Sequence, residues 1–173
     1  MRYHFQFLSP QMYFDSYLLG PNEATALAEH KKIPIGMYLN TMAFFGVYHN
    51  AAVVCMRRVR TMFENKSAGV RQVAWIIIVI LAALFFAWAE TFFYMTGDSA
   101  GIVWYENLPA MLKVGSFCYA LYFVVSFPNV YRLEEDGQKW PWSRVIIEAS
   151  FVAITTLLLL DLYSWIAGPL PLQ

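Results

Sequence analysis

The sequence is poor in charge. Only 14% of its 173 residues are charged, and the acidic and basic side chains cancel to a formal net charge of zero. Nucleic-acid binders usually carry a basic excess, because their affinity depends on neutralising phosphates. The missing excess argues against that class, whereas local charge clusters can still set the orientation of a membrane protein.

Cysteine and the common catalytic motifs are also scarce. Cys55 and Cys118, the two cysteines, lie inside apolar segments, so neither a disulfide framework nor a four-ligand zinc site is supported. The sequence has no glycine-rich phosphate loop, no nucleophile elbow and no histidine pair at metal-ligand spacing. We therefore expect neither a metal nor a cofactor.

The first 33 residues lack a long apolar run. Residues 1–32 do not contain the continuous apolar core of a cleaved signal peptide. They are crowded with aromatic residues and interrupted by Pro10 and the Gly20-Pro21 pair, a composition typical of a membrane interface. Asn22, followed by EATALAEH, predicts a capped short helix that ends before Pro34. We expect residues 1–33 to form an interfacial or partly re-entrant segment.

Hydrophobic residues make up 59% of the chain, and they are concentrated in long runs. From Arg71 to Met95 no charge interrupts the sequence before Glu90, and a helix of this length exceeds the ~30 Å hydrocarbon core of a bilayer. The sequence predicts a single all-α domain over residues 1–173. This domain is an integral membrane protein, a bundle of four transmembrane helices at about 35–56, 71–95, 109–130 and 144–167.

Basic residues are unevenly distributed between the predicted loops. The loop after the first span contains five basic residues and one acid, whereas residues 97–108 contain no Lys or Arg. By the positive-inside rule, the loops at 57–70 and 131–144 are cytoplasmic and both termini lie on the opposite side. We interpret the arginines as topology signals and headgroup contacts. The basic residues of the first loop are Arg57, Arg58, Arg60, Lys66 and Arg71.

Three ionisable residues inside the predicted spans are candidate catalytic groups: Glu90, Asp161 and His49. A lone anion below the headgroups is costly, so Glu90 is expected to point into the bundle. Ala83 and Ala87 precede it on nearly the same helix face and would let a neighbouring helix approach closely. Asp161 is predicted to lie at a similar depth. In a dry pocket, one carboxyl could act as a general acid and neutral His49 as the base.

Polar and aromatic residues near these groups are candidate substrate contacts. Gly115, Tyr119, Tyr122 and Ser126 form a stripe at helical spacing, and Thr41 is predicted to share a cavity with His49. Aromatic faces could stabilise a developing carbocation. The predicted substrate-binding residues are Tyr48, Tyr119, Tyr122, Asn40, Thr41 and Trp88.

Each of these residues also has a purely structural interpretation. Glu90 and Asp161 could serve as hydrogen-bonding glue between helices, and His49 could be a satisfied bundle histidine. The tyrosine stripe could be ordinary helix packing. The residues alone leave these alternatives open.

From Tyr48 onward, an ordered set of short motifs resembles the cycloeucalenol cycloisomerase family. The segment 117–136, FCYALYFVVSFPNVYRLEED, is similar to the family's FYAIYFIVSFP stretch and the arginine and acids that follow it. The other matching motifs are Tyr48-His49, Arg57-Arg58-x-Arg60, Glu90-Thr91, Ser143-Arg144-Val145, Leu160-Asp161-Leu162 and Gly168-Pro169. Together they extend over about two thirds of the chain in a consistent order.

The resemblance implies a sterol isomerase. The family opens the 9,19-cyclopropane ring of a sterol by protonating one carbon and removing a proton from another, without a redox cofactor or a metal. It also implies that the chain is shortened, because longer members have additional hydrophobic helices before the matched region. Ile35 and Thr41 stand roughly where some family histidines would be expected.

Two other function classes compete with a sterol isomerase. The chain could be a non-catalytic accessory subunit of a larger membrane complex, or it could bind a sterol or lipid without turnover. The expected partners are membrane lipid or sterol and, for an accessory subunit, other membrane subunits; nucleic acid is not an expected partner. The expected location is the endoplasmic reticulum for a eukaryotic sterol enzyme, and otherwise a bacterial inner membrane or an organelle membrane.

Overall fold

Helices dominate the computed structural model, which describes residues 3–5, 13–16, 31–95, 103–105, 108–133, 135, 137 and 139–167. Helices α1 (Ile35–Met62) and α2 (Ala68–Met95) are joined by a short turn. One helical turn, α3 (Leu108–Ala110), and a π-helix (Met111–Gly115) lead into α4 (Ser116–Arg132), and α5 (Trp142–Ala167) follows. The predicted all-α bundle of four long helices is confirmed.

Two small antiparallel ribbons accompany the helices. Strand β1 (Tyr3–Phe5) pairs with β4 (Val103–Tyr105), and β2 (Tyr13–Ser16) pairs with β3 (Lys31–Pro34). The interfacial character predicted for residues 1–33 stays a prediction. The helix predicted after Asn22 lies outside the described residues.

The four long helices lie where the spans were predicted, and two of them extend further than predicted. Helix α1 runs to Met62, so Arg57, Arg58 and Arg60 lie on its last turns and not in a loop. Helix α4 continues through Pro128 to Arg132. Proline removes one backbone donor from a helix without necessarily ending it, and packing against neighbouring helices offsets that loss.

Three of the helices are long and apolar enough to cross a bilayer, among the residues that the structure describes: Ala68–Phe93, Met111–Arg132 and Trp142–Ile166. Helix α1 packs against α2 and α4 and completes the bundle. On these lengths and compositions the chain is a membrane protein.

The core lies between α2 and α4, which form the most extensive helix pair. Ala83 and Ala87 of α2 are fully buried, as are the rings of Phe123 and Phe127 of α4. The rings of Phe86 and Phe127 meet edge to face, with centroids 5.9 Å apart. Small residues on one helix and large rings on the other allow close approach without voids.

Helix α5 lies at the edge of the bundle and packs chiefly against α4. The Tyr163 hydroxyl donates a hydrogen bond of 3.2 Å to the Val114 carbonyl oxygen in the π-helix. Most of the outward surface of α5 is apolar and exposed, including Ile147, Leu158 and Trp165. Such a surface is compatible with lipid, because acyl chains make no demand for polar groups.

We expect Ala87→Leu to destabilise the fold. No exposed surface remains at Ala87, so three added heavy atoms force α2 away from its neighbours and cost about 1–3 kcal/mol. Unfolding of the purified protein in detergent would measure this loss. Ala153→Leu, the same change on the exposed side of α5, is the control. Equal stability of the two variants would contradict the proposed packing.

Candidate active site

The candidate site is centred on a hydrogen bond between α2 and α4. The Tyr119 hydroxyl donates to Oε2 of Glu90 at 2.5 Å. Glu90 is half-buried and lies about one and a half turns before the end of α2. Ala87, one turn earlier, adds no bulk between the helices, so the tyrosine of α4 can reach the carboxyl. As predicted, Glu90 points into the bundle.

Aromatic rings form one wall of this site. The Tyr119 ring lies 5.1 Å from that of Phe123 and 5.8 Å from that of Tyr122. Phe123 is fully buried and also meets the ring of Tyr48 edge to face at 6.0 Å. Tyr122 is 40% exposed, so the wall extends from the core to the surface of the bundle. The electron-rich faces of such rings attract a cation.

His49 lies beside this wall, and both of its ring nitrogens are bonded. Nδ1 is 2.6 Å from the Phe45 carbonyl oxygen, and Nε2 is 2.9 Å from Oγ of Ser126. A carbonyl oxygen can only accept, so Nδ1 carries the hydrogen, and in the neutral ring Nε2 accepts from the Ser126 hydroxyl. The ring also lies 6.1 Å from Phe123 and 5.0 Å from Phe127.

The predicted acid and the predicted base are therefore connected only through intervening side chains. Glu90 bonds to Tyr119, Tyr119 packs on Phe123, and Phe123 packs on His49. In this arrangement the Nε2 lone pair already accepts from Ser126. The bundle-histidine interpretation fits this geometry, and the role of His49 as a base stays a prediction.

Asp161 does not join Glu90. Its side chain is exposed on α5, contrary to the expectation of two acids in one enclosure. The reason is helical phase: Thr156 lies on the buried side of α5, and five residues further along, the helix has turned by about 140° relative to it.

Two of the predicted substrate contacts, Trp88 and Thr41, lie away from this site. Trp88 is 41% exposed and stacks on Phe92, and since it lies two residues before Glu90 it is on nearly the opposite face of α2. Thr41 is exposed although His49 is buried, because eight residues place the two side chains about 80° apart around α1. The side chain of Asn40 lies outside the described residues.

Sequence reasoning identified the tyrosine stripe but missed its pairing. Tyr119 bonds to α2, whereas Ser126 bonds to α1, so the stripe is the face through which α4 makes polar contacts with two helices. The periodicity could have suggested a polar face. Its partners depend on how the helices are arranged.

The described residues contain no group of three or more His, Cys, Asp or Glu side chains that could hold a metal ion. The candidate chemistry that they do present is that of one carboxyl, one phenol, one imidazole and apolar rings. These groups can bind an apolar substrate and move a proton.

Comparison with known proteins agrees with the motifs. Cycloeucalenol cycloisomerase of Arabidopsis thaliana is 31% identical over 144 residues, which are 80% of this chain and 49% of that protein. The chain is similar to this cycloisomerase over most of its own length. It spans about half the length of this curated relative. No protein-family model matches the chain, and no solved structure matches it.

We expect Ser126→Ala to lower the free energy of unfolding by about 1–3 kcal/mol, because it leaves the buried Nε2 of His49 without its partner. Chemical denaturation in detergent would measure the loss. Ser143→Ala, at an exposed position of α5, is the matched control. An unchanged Ser126→Ala variant would show that the bond does not tie α1 to α4.

Proposed function

We propose that the protein is a sterol-isomerase-like membrane enzyme and that Glu90 and Tyr119 carry its proton chemistry. The family relationship supports the reaction class. The hydrogen bond between Tyr119 and Glu90, set against an aromatic wall, is the observation that carries the assignment.

Protonated Glu90 would be the general acid. The bond from Tyr119 occupies Oε2 and fixes the carboxyl, so Oε1 is left to carry a hydrogen toward a substrate. Transfer of that proton to a cyclopropane carbon forms one C–H bond, breaks one ring C–C bond and leaves a carbocation. Loss of a proton from a neighbouring carbon then forms the double bond, so no electrons are gained or lost overall.

The rings and the carboxylate would stabilise the charged intermediate. Tyr119 bonds to Glu90, and its ring lies 5.8 Å from that of Tyr122, so the quadrupoles of both rings would favour a cation formed near Glu90. The Glu90 carboxylate formed in the first step can accept the departing proton. This return of the proton to Glu90 would make a separate base unnecessary, in agreement with the engagement of both nitrogens of His49.

Binding without turnover is the second candidate, and one observation favours it. The described part of the chain brings a single carboxyl to the site and no second base with a free lone pair, because Asp161 is exposed and His49 is bonded to Ser126. A sterol or lipid could then occupy the aromatic wall without reacting. The accessory-subunit alternative stays a prediction.

We expect Glu90→Gln to lower conversion of a 9,19-cyclopropyl sterol by about a hundredfold or more, because a positioned general acid contributes on that order. Tyr119→Phe should lower it by roughly tenfold through loss of the fixed carboxyl orientation. Gas chromatography with mass spectrometry would measure the product, and in D₂O the product should gain one deuterium. Glu148→Gln, a carboxyl change at the far end of the bundle, is the control.

The outcomes separate the candidates. Full turnover in Glu90→Gln would remove Glu90 from the mechanism. Saturable sterol binding by the wild-type protein with no product would favour binding without turnover.

A further test addresses Asp161, the candidate acid whose side chain is exposed. We expect Asp161→Asn to keep turnover within about twofold of wild type, because an exposed carboxyl on the outer side of α5 does not meet the Glu90 site. The same sterol assay would measure it. A hundredfold loss with unchanged stability would return Asp161 to the catalytic machinery.

A further inference from the structure

A second feature lies at the opposite end of the bundle, where α1 and α4 end and α2 begins. A cavity of about 770 Å³ is lined there by Arg60, Arg71 and Arg132, with Trp75 and Tyr131 among its other walls. Residue 72 of this wall and Glu90 are separated by eighteen residues of α2, or roughly 27 Å. The cavity is therefore remote from the candidate active site.

The arginines of this cavity differ in how they are paired. Arg60 donates to the Tyr131 hydroxyl at 2.6 Å and to the Glu135 carboxylate at 2.7 Å. These contacts raise the pKa of Arg60 further above its usual value, the tyrosine bond contributing most, so its charge is permanent. Arg132 pairs with Glu148 at 3.2 Å.

Arg71 differs from the other two arginines of the cavity in having no acidic partner among the described residues. Its side chain is exposed and forms no ion pair with any acid in the described part of the chain. Glu64 is the one acid among the described residues that line the cavity. Three arginines line the same cavity. The cavity therefore favours an anion.

The start of α2 adds to this preference. Ala68, its first residue, lines the same cavity. The N-terminal end of a helix carries a partial positive charge and directs backbone N–H groups outward, which suits a phosphate.

An apolar groove continues from the cavity. It has a volume of about 490 Å³ and shares Val59 and Phe63 with the arginine-lined cavity. Its lining on α2 extends from Gly69 to Leu81, which is about 18 Å along the helix axis. That length exceeds the ~15 Å of one hydrocarbon leaflet, half of the ~30 Å core.

We propose that this cavity and groove together bind an anionic phospholipid, with its phosphate at Arg71 and one acyl chain along α2 between Gly69 and Leu81. Charge complementarity selects the headgroup, and the shared walls connect it to the apolar groove. A neutral sterol would leave Arg71 unmatched, and a free phosphate would leave the groove empty. The proposal does not depend on isomerase activity.

The full chain in phosphatidylcholine nanodiscs, with and without phosphatidylglycerol of the same acyl chains, provides the test. Native mass spectrometry would count retained lipids, and a parallel titration would use inorganic phosphate alone. We expect phosphatidylglycerol to be retained in preference to phosphatidylcholine. Arg71→Gln should weaken that retention by roughly tenfold, through loss of a charge-assisted contact. Arg58→Gln, which removes an exposed charge that does not line the cavity, should leave it unchanged.

A second pair of variants tests the acyl-chain groove. A Cβ added at Gly69 meets no atom within 4 Å, so this position has room for a larger residue, and Gly69 itself lines the groove. We expect Gly69→Leu to occupy part of the groove and to lower phosphatidylglycerol retention. Gly46→Leu, equally open but outside the groove, is its control.

Three outcomes would overturn the proposal. Equal retention of the two lipids by the wild-type protein would remove the headgroup preference. Equal effects of Arg71→Gln and Arg58→Gln on phosphatidylglycerol retention would show that the headgroup does not bind at Arg71. Stabilisation by inorganic phosphate that Gly69→Leu leaves unchanged, with no lipid preference, would reassign the cavity to a free anion.

Discussion

The close contact of α2 with α4 is the constraint on which the rest of this structure depends. Ala83 and Ala87 let the aromatic side of α4 approach, and the fully buried rings of Phe123 and Phe127 fill the space. The same approach brings Tyr119 to Glu90 and sets Ser126 against His49. In a bilayer, where apolar surface alone does not drive helices together, such packing and interhelical hydrogen bonds hold a bundle.

The two ends of the bundle have different chemistry because charge is distributed unevenly along the helices. Glu90 lies near the end of α2, whereas Arg71 lies near its start, and the residues between them are uncharged. One end therefore presents a carboxyl and phenol suited to proton transfer. The other presents guanidinium groups suited to a headgroup. The apolar span of α2, Ala68–Phe93, is long enough to cross the hydrocarbon core.

Much of the fold could be predicted from local properties of the chain. Run length and hydropathy indicated the four helices, and the small residues before Glu90 indicated which side of α2 packs. Helix ends were less predictable: arginines on the last turns of α1 look like a loop by composition, and Pro128 looks like a stop. Whether a proline ends a helix depends on neighbours that offset the lost hydrogen bond.

The sequence by itself determined the helices, the similarity to cycloeucalenol cycloisomerase and the candidacy of Glu90. These depend on residue type, order and periodicity along one chain. Only the tertiary structure decided that Tyr119 is the hydrogen-bond partner of Glu90, that Ser126 is the partner of His49 Nε2 and that Asp161 is exposed. Each of these outcomes depends on the rotation of one helix against another, and a turn of about 140° separates a buried position from an exposed one.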